Sequence, residues 1–377
     1  MRVLMQSRSD ILKNRGGDTV QMLETKKALE AVGVAVTLDN NPQADLSSFD
    51  LVHLFNIDGI HATFWQAKNA VAQNKPYVLS PIHHKMMDIK IWEDTDAYDF
   101  KRLIYPIFRS YNQRETLKSL YNALFNPRLL PRFFSQLTVN LGESQKWVVE
   151  HAAYLLPNAF GEAEAVKEEI TPDFKFRVVP NGVSPAFYKP DTNNFWQQYG
   201  QFPFVLCVGR TESRKNQLRV IRAVKALRQD CPDLRLVLVG AFNPHNIEYG
   251  WRVRRELTLN PWILHIPELP YDQMPGVFGA ALAHVSASWK ETTGLVNVEA
   301  ALAGCAVVAP NKGYCREYLG SEAEYCDPGD VTSIKEALAK CLAHRPSEDF
   351  KQSILRDYTW SEAAKKTLEV YNMVLAL

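Results

Sequence analysis

The chain has 377 residues, 46% of them hydrophobic and 23% charged, with a formal net charge of +1; this excludes a disordered polymer and gives no electrostatic reason to expect nucleic acid as a partner. That length exceeds what one hydrophobic core usually organises and predicts two domains of roughly 150 to 200 residues each. All six cysteines (Cys207, Cys231, Cys305, Cys315, Cys326, Cys341) fall in the second half. With no CxxC pair and no histidine spacing suited to zinc, they read as reduced, buried thiols of a cytoplasmic protein.

The opening MRVLMQSRSD has no long apolar run behind its charges and reads as a first strand, not a signal peptide. No segment approaches the roughly 18 uninterrupted apolar residues of a membrane span. Val3-Leu4-Met5 predicts a strand, Asp10 to Asp18 a polar loop, and Thr19 to Val32 a helix with Val20, Leu23, Ala28 and Leu29 on its apolar side. Val34 to Leu38, Leu51 to Phe55 and Tyr77 to Ser80 are short apolar runs separated by helical stretches, the pattern of an α/β parallel sheet with helices on both faces. The first loop holds Arg15-Gly16-Gly17, where two glycines after a strand let the backbone approach an anion, or simply turn.

The strand at Tyr77 runs into Pro81-Ile82-His83-His84 and puts an imidazole at the carboxyl edge of the sheet, where open α/β sheets bind ligands. Adjacent histidines on extended chain point opposite ways, so at most one faces a cleft and no metal pair is expected. Trp92-Glu93-Asp94-Thr95-Asp96 contains Asp-x-Asp, but no apolar strand leads into it, and it reads as a polar loop that holds no metal. Between residues 100 and 134, Lys101, Arg102, Arg109, Arg114, Lys118, Arg128 and Arg132 face only Glu115 and alternate with Tyr105, Phe108, Tyr111, Tyr121, Phe125, Phe133 and Phe134. Such a mixture suits an interfacial helix on an anionic membrane surface that admits a lipid-linked acceptor, or core aromatics beneath a solvated charged face.

Asn140 to Val166 predicts a helix end, a short strand at Ala153 to Pro157 and a helix from Glu162, and Asn181-Gly182 is a turn signal. Further on, Phe204 to Val208 is a strand that Gly209 ends, Arg210 projects from its tip, and Lys215 stands at the start of the next helix. Two fixed cations so placed can neutralise a diphosphate leaving group without metal; surface ion pairing is the alternative. The spacing is not that of a P-loop, because Arg214 and Asn216 stand where that loop needs Gly and Ser or Thr. Leu236 to Gly240 and Trp262 to Ile266 predict strands, and Val285 to Ser288 leads into SWKETTGLVNVEAALAGCAVVA, Ser288 to Ala309. Here Glu291 and Glu299 bracket Thr293-Gly294-Leu295, so helix N-terminal amides would lie between two carboxylates. The amides suit phosphates and the acids suit sugar hydroxyls. Leu295, Val298 and Leu302 also fit an ordinary amphipathic helix with solvated first-turn acids. Tyr358-Thr359-Trp360-Ser361 opens the last helix, with Ser361 as N-cap.

The run from Glu291 to Glu299, with Ala303-Gly304-Cys305 and Val307-Val308-Ala309 behind it, resembles the acid, seven residues, acid signature of the retaining glycosyltransferases of family 4. Gly209-Arg210, Lys215-Asn216, Gly313, Glu317 and Asp327-Pro328-Gly329-Asp330 follow the same family in order, and Phe176 to Val183 is similar to its strand into the interdomain linker. Thr292-Thr293 departs from the family's Gly-Phe, and Glu324-Tyr325-Cys326 from its Gly-apolar strand. The resemblance is weakest over residues 85 to 150. It implies the GT-B fold, two Rossmann-like parallel-sheet domains facing across a cleft. The N-terminal domain would cover residues 1–180, the C-terminal nucleotide-sugar domain 181–358, and a helix at 359–377 would cross back to the first domain.

By the same resemblance, Arg210 and Lys215 hold the donor diphosphate with the Gly294 and Leu295 amides, beside Gly209 and Thr293, and Gly16 and Gly17 face it from the first domain. Glu299 holds the ribose, Glu291 the sugar hydroxyls, and His83 supports charge developing at the sugar ring; Pro267-Glu268-Leu269 sits where the family holds the base. The implied activity is metal-independent, same-face transfer from a UDP- or GDP-sugar to a hydroxyl of a glycan or lipid-linked acceptor, in the cytoplasm or peripherally on the membrane, with the nucleotide sugar as substrate and no cofactor. The alternatives are an epimerase or phosphorylase on the same architecture, a dinucleotide-dependent oxidoreductase, for which the first strand lacks a following GxGxxG, and a non-catalytic sugar-binding protein.

Overall fold

The apolar runs of the first half become β1 (Arg2–Gln6), β2 (Ala35–Leu38), β3 (Leu51–Phe55), β4 (Tyr77–Ser80) and β5 (Tyr154–Leu155). They form one sheet in the order β2-β1-β3-β4-β5, parallel throughout, with Val3 opposite both Val36 and Leu51. Every residue of β3 and β4 is buried, which is why these strands read as mostly apolar runs and not as alternating ones; their two polar members, His53 and Ser80, hydrogen-bond each other at 2.9 Å. In the second half, β6 (Phe204–Val208), β7 (Arg235–Val239), β8 (Ile263–Ile266), β9 (Ala283–Val285), β10 (Ala306–Pro310) and β11 (Glu324–Cys326) form a parallel sheet in the order β11-β10-β9-β6-β7-β8. Both orders reverse direction once, between β1 and β3 in one sheet and between β6 and β9 in the other. Open α/β sheets bind ligands outside the carboxyl ends of the strands at such reversals.

This computed structural model describes the chain except residues 14–15, 97, 99–100, 109–112, 115, 118–119, 121–123, 125–139 and 377. Its Cα packing divides it into a first unit of Met1–Met86, Pro106–Gly182 and Trp360–Leu377 and a second of Met87–Tyr105 and Val183–Thr359. The last helix, Trp360–Leu375, packs on the first, Gly17–Ala31. The Tyr371 hydroxyl reaches His53 Nδ1 at 2.7 Å beneath β3. Ser361 lies inside that last helix and is not its N-cap. Asn181-Gly182 forms no turn; the middle segment of the first unit ends there, and Val183 begins the long segment of the second, donating its N–H to the Tyr358 carbonyl at 2.8 Å.

Other expectations give way to packing. The first helix buries Met22, Thr25 and Leu29 and leaves Val20 39% exposed, so its core face is rotated from the one the periodicity suggested. Asn140 begins a helix instead of ending one: its side chain accepts from Gly142 N–H and caps Leu141–Glu150. The supposed loop around Trp92 is the helix Met86–Thr95, which buries Ile89 and Glu93 one turn apart. Residues 87–105 cluster with the second unit, where Asp96 pairs with Arg219, Asp88 lies 3.7 Å from Lys312, and Tyr98 meets Tyr249 edge-on at 5.0 Å. Of the basic and aromatic stretch from 100 to 134, Tyr105 and Arg114 are buried, with Arg114 donating to the Phe108 carbonyl at 2.7 Å. Arg109, Tyr111, Glu115, Lys118, Tyr121, Phe125, Arg128, Arg132, Phe133 and Phe134 lie outside the described residues, as does Arg15. Among the described residues no helix is long and apolar enough to cross a membrane. Five cysteines are buried and Cys231 is exposed, against the expectation that all six would be inside.

Candidate active site

In the second unit the groups marked in the sequence gather at the carboxyl ends of β6 and β9, the two strands that flank the reversal of strand order. Gly209 leaves β6 at φ +143, and a Cβ placed there would lie 3.6 Å from Cδ of Lys215, so the lysine stem runs along the glycine. A 3-10 turn, Ser213–Lys215, carries the lysine, and the following helix starts at Gln217, two residues later than the sequence suggested. Asn216 makes the junction in the left-handed region (φ +62), and its amide donates to the carbonyls of Ala287 at 3.1 Å and Pro328 at 2.7 Å. An asparagine tolerates that conformation and spans three loops with one side chain. The Arg214 carbonyl accepts from Trp289 N–H at 2.9 Å and from Ser288 Oγ at 3.2 Å, which stitches this turn to the start of the acid motif.

Lys215 Nζ forms an ion pair with Glu291 Oε1. Burial pushes the Glu291 carboxyl up, but the Lys215 charge and hydrogen bond outweigh burial and hold it below its ordinary value. Arg210 is half-buried, and Gln217 Nε2 donates to its carbonyl at 2.9 Å, fixing the backbone from which the guanidinium projects. Buried Glu212 is pushed up by burial and pulled down further by Arg214, Asn243 and Arg210, to about 2, so it stays charged and balances the cations.

The motif helix is Leu295–Leu302, with Gly294 as N-cap at φ +64. A Cβ on Gly294 would come within 2.5 Å of Asn297 Nδ2 and 2.9 Å of Cys315 Sγ, so both the space and the conformation call for glycine. Thr293 is buried at 1% exposure, filling the site where Thr292-Thr293 departs from Gly-Phe. Glu299 is 7% exposed and accepts from the Tyr271 hydroxyl at 2.8 Å. Its carboxyl is pushed up to about 7 by burial, against the pull of that hydrogen bond. Gly313 braces the motif from behind: at φ +69, a Cβ there would fall 1.9 Å from the Glu291 carbonyl oxygen, and the next residue, Tyr314, donates its N–H to the Thr292 carbonyl at 2.9 Å.

Gly16, Gly17 and His83 belong to the first unit. Gly16 is extended (φ −146) and donates its N–H to Thr19 Oγ1 at 3.1 Å; neither glycine sits at positive φ. The two differ in access: a Cβ at Gly16 would lie 2.9 Å from Asp18 Oδ1, whereas at Gly17, the first residue of the helix, no described residue lies within 4 Å of one. His83, expected at the ligand-binding edge of its sheet, is enclosed by its own unit. It is 1% exposed, with Nδ1 2.9 Å from Asp58 Oδ1 and Nε2 2.8 Å from Glu169 Oε2. Burial pushes its pKa down, and the two carboxylates overcome this and lift it to about 9. Both ring nitrogens are therefore engaged within its own unit, which leaves neither for the direct sugar contact implied by the resemblance.

His84 does not point the opposite way: its Nδ1 lies 2.7 Å from the other oxygen of Asp58. The extended chain assumed for the pair is broken at Ile82, a β-branched residue at φ +49. Such strain costs about 1–3 kcal/mol. It is offset by bonds on either side, Ile57 N–H to the Pro81 carbonyl at 2.8 Å and His83 N–H to buried Glu162 at 2.8 Å. A histidine whose pKa rises from 6.5 unfolded to about 9 folded stabilises fully below 6.5, and the contribution is lost as pH climbs through 9. The thermal midpoint is expected to fall across that interval by the equivalent of roughly 3 kcal/mol, and much less in His83→Gln. A flat midpoint for the native chain would remove the charged histidine from the account.

Residues 189–357 match the family described as Glycosyl transferases group 1. The chain is 23% identical over 198 residues to the O-antigen chain mannosyltransferase B of Escherichia coli, covering 51% of each. It is 26% identical over 257 residues to the GDP-mannose-dependent alpha-(1-6)-phosphatidylinositol monomannoside mannosyltransferase of Mycolicibacterium smegmatis, covering 64% of each. These matches span about half to two thirds of the curated relatives' length, down to 49% for the phosphatidylinositol N-acetylglucosaminyltransferase GPI3 subunit of Saccharomyces cerevisiae. Among solved structures, sucrose-phosphate synthase from Thermosynechococcus elongatus superposes with a TM-score of 0.76 at 15% identity over 100% of both chains. Anabaena HepE in complex with UDP-glucose gives 0.67 at 16% identity, over 99% of this chain and 100% of that one.

Proposed function

We propose that this chain, a member of the group 1 glycosyl transferases with the GT-B fold, moves a sugar from a nucleotide-diphosphate donor to a hydroxyl of a glycan or lipid-linked acceptor. The observation that carries the reading is the Lys215–Glu291 ion pair beside a glycine-capped helix N-terminus, at the strand ends where this sheet type binds ligands. Lys215 and Arg210 neutralise the diphosphate together with the Gly294 and Leu295 amides, next to Gly209 and Thr293. Glu291 accepts from sugar hydroxyls while Lys215 keeps it ionised, and Glu299 accepts from the ribose. Within the first unit, Gly17 opens a helix N-terminus suited to an anion, with no described residue within 4 Å of a Cβ placed there, and His83 holds the loop after β4 in place.

In this proposal the bond from the anomeric carbon to the phosphate oxygen breaks as the acceptor oxygen bonds to that carbon on the same face, so configuration is retained. The acceptor proton passes to the departing phosphate oxygen, whose charge Lys215 and Arg210 stabilise at the moment it develops. Two fixed cations supply what a divalent ion would otherwise supply, so turnover is expected to be indifferent to a chelator. The similarity to a GDP-mannose-dependent mannosyltransferase and to a phosphatidylinositol glycosyltransferase supports a nucleotide-sugar donor and a lipid-linked acceptor, and the UDP-glucose complex of a structural neighbour supports the donor alone.

The test is a thermal-shift panel of nucleotides and nucleotide sugars, since a ligand present at a hundred times its Kd stabilises by about 2.7 kcal/mol. UDP or GDP and one of their sugar conjugates should raise the midpoint, and adenine dinucleotides should not. A panel in which no nucleotide diphosphate moves it would sink the proposal.

A further inference from the structure

No motif of the sequence marks Tyr271, yet its hydroxyl donates a hydrogen bond to Glu299. It opens the 3-10 turn Tyr271–Gln273 that follows β8. Its ring rests edge-on against fully buried Phe187, with centroids 5.7 Å apart, while 53% of the residue stays exposed. The tyrosine is thus held from below and open above, with its hydroxyl 2.8 Å from Oε1 of a carboxylate that is itself almost out of solvent.

We propose that Tyr271 is a positioning residue for nucleoside recognition: its hydroxyl fixes one oxygen of Glu299 and so aims the other at the ribose diol. The inference rests on the assignment of Glu299 to the ribose made above. A carboxyl group with two competing rotamers is a poor template for a diol, whereas one anchored oxygen leaves a single direction for the second. The anchor also ties the turn after β8 to the motif helix, so the segment beside the expected base loop and the ribose acceptor are held in one register.

The same bond governs charge. Burial raises Glu299 to about 7, and among the described residues Tyr271 is the titratable group that bears on it, pulling it down. Without the hydroxyl the carboxyl titrates higher. At neutral pH more of it is then protonated and accepts more weakly from a sugar hydroxyl, because charge-assisted bonds are the stronger ones.

The experiment is calorimetric titration of the native chain and Tyr271→Phe with UDP and GDP, then with the 2′,3′-dideoxy form of whichever binds, at several pH values between about 6 and 9. Tyr271→Phe should lose roughly three- to tenfold in affinity for the ribonucleotide at pH 7, the size of one hydrogen bond, and recover part of it as pH rises, the remainder being the lost anchor. Its affinity for the dideoxynucleotide should be unchanged. Equal affinities in the two proteins, or an equal loss for both nucleotides at every pH, would overturn the proposal. If the native chain bound neither UDP nor GDP, the functional assignment itself would fall first.

Discussion

Alanine at Lys215 or at Glu291 is expected to lower turnover by roughly tenfold to a thousandfold, the scale of losing one positioned electrostatic partner. The two side chains form one ion pair, so the losses should not multiply: Lys215→Ala/Glu291→Ala should be less impaired than the product of the single changes. The reason is that Glu291 is held in its charged form by Lys215 against burial. In Lys215→Ala, Glu291 keeps its place but titrates upward, and the variant's residual activity should rise with pH as the carboxyl ionises. Glu291→Ala leaves the lysine without its partner and should show no such recovery. Steady-state rates across pH, with thermal midpoints to correct for unfolded enzyme, separate these outcomes. Unchanged turnover in both single variants would remove the pair from the site.

Gly313→Ala should be nearly as damaging although residue 313 touches no proposed substrate group. Its Cβ would fall 1.9 Å from the Glu291 carbonyl oxygen at a backbone angle of φ +69, so either the Gly313 turn or the Glu291 backbone must move. The backbone strain alone costs about 1–3 kcal/mol, and a shift of about 1 Å in the acid can cost a hundredfold in rate. Gly320→Ala is the control, since Gly320 also has positive φ (+52) but nothing within 4 Å of the added carbon. Both variants should unfold at lower urea, and only Gly313→Ala should lose at least tenfold in turnover beyond what its stability explains. Equal effects of the two on turnover would mean that the brace behind Glu291 plays no part.

Much of this architecture was legible in the residues. β3 and β4 were bounded to the residue, because strands buried on both faces are written as predominantly apolar runs between breakers. The motif helix was equally plain, because Gly294 and the spacing of Leu295, Val298 and Leu302 are local signals. Misreadings arose where a distant partner decided the outcome. Trp92 to Asp96 reads as a loop because its polarity is local, yet Glu93 is buried on a helix face and Asp96 is neutralised by Arg219, 123 residues away. The first helix turns Val20 outward, although its periodicity allowed the other face, because Gln21 pairs with Asn158 across the core at 2.9 Å.

Within the candidate site the same division holds. The sequence by itself determined the chemical types and their order: two cations after one strand, two acids around a glycine after another. Only the tertiary structure decided that Lys215 charges Glu291, that Tyr271 anchors Glu299, that Gly313 presses on the acid loop, and that His83 is spent on Asp58 and Glu169. Composition and periodicity depend on each residue and its near neighbours. Ion pairs, close approaches and shifted ionisation depend on groups that meet only when the strand order of a sheet brings distant loops to a common edge.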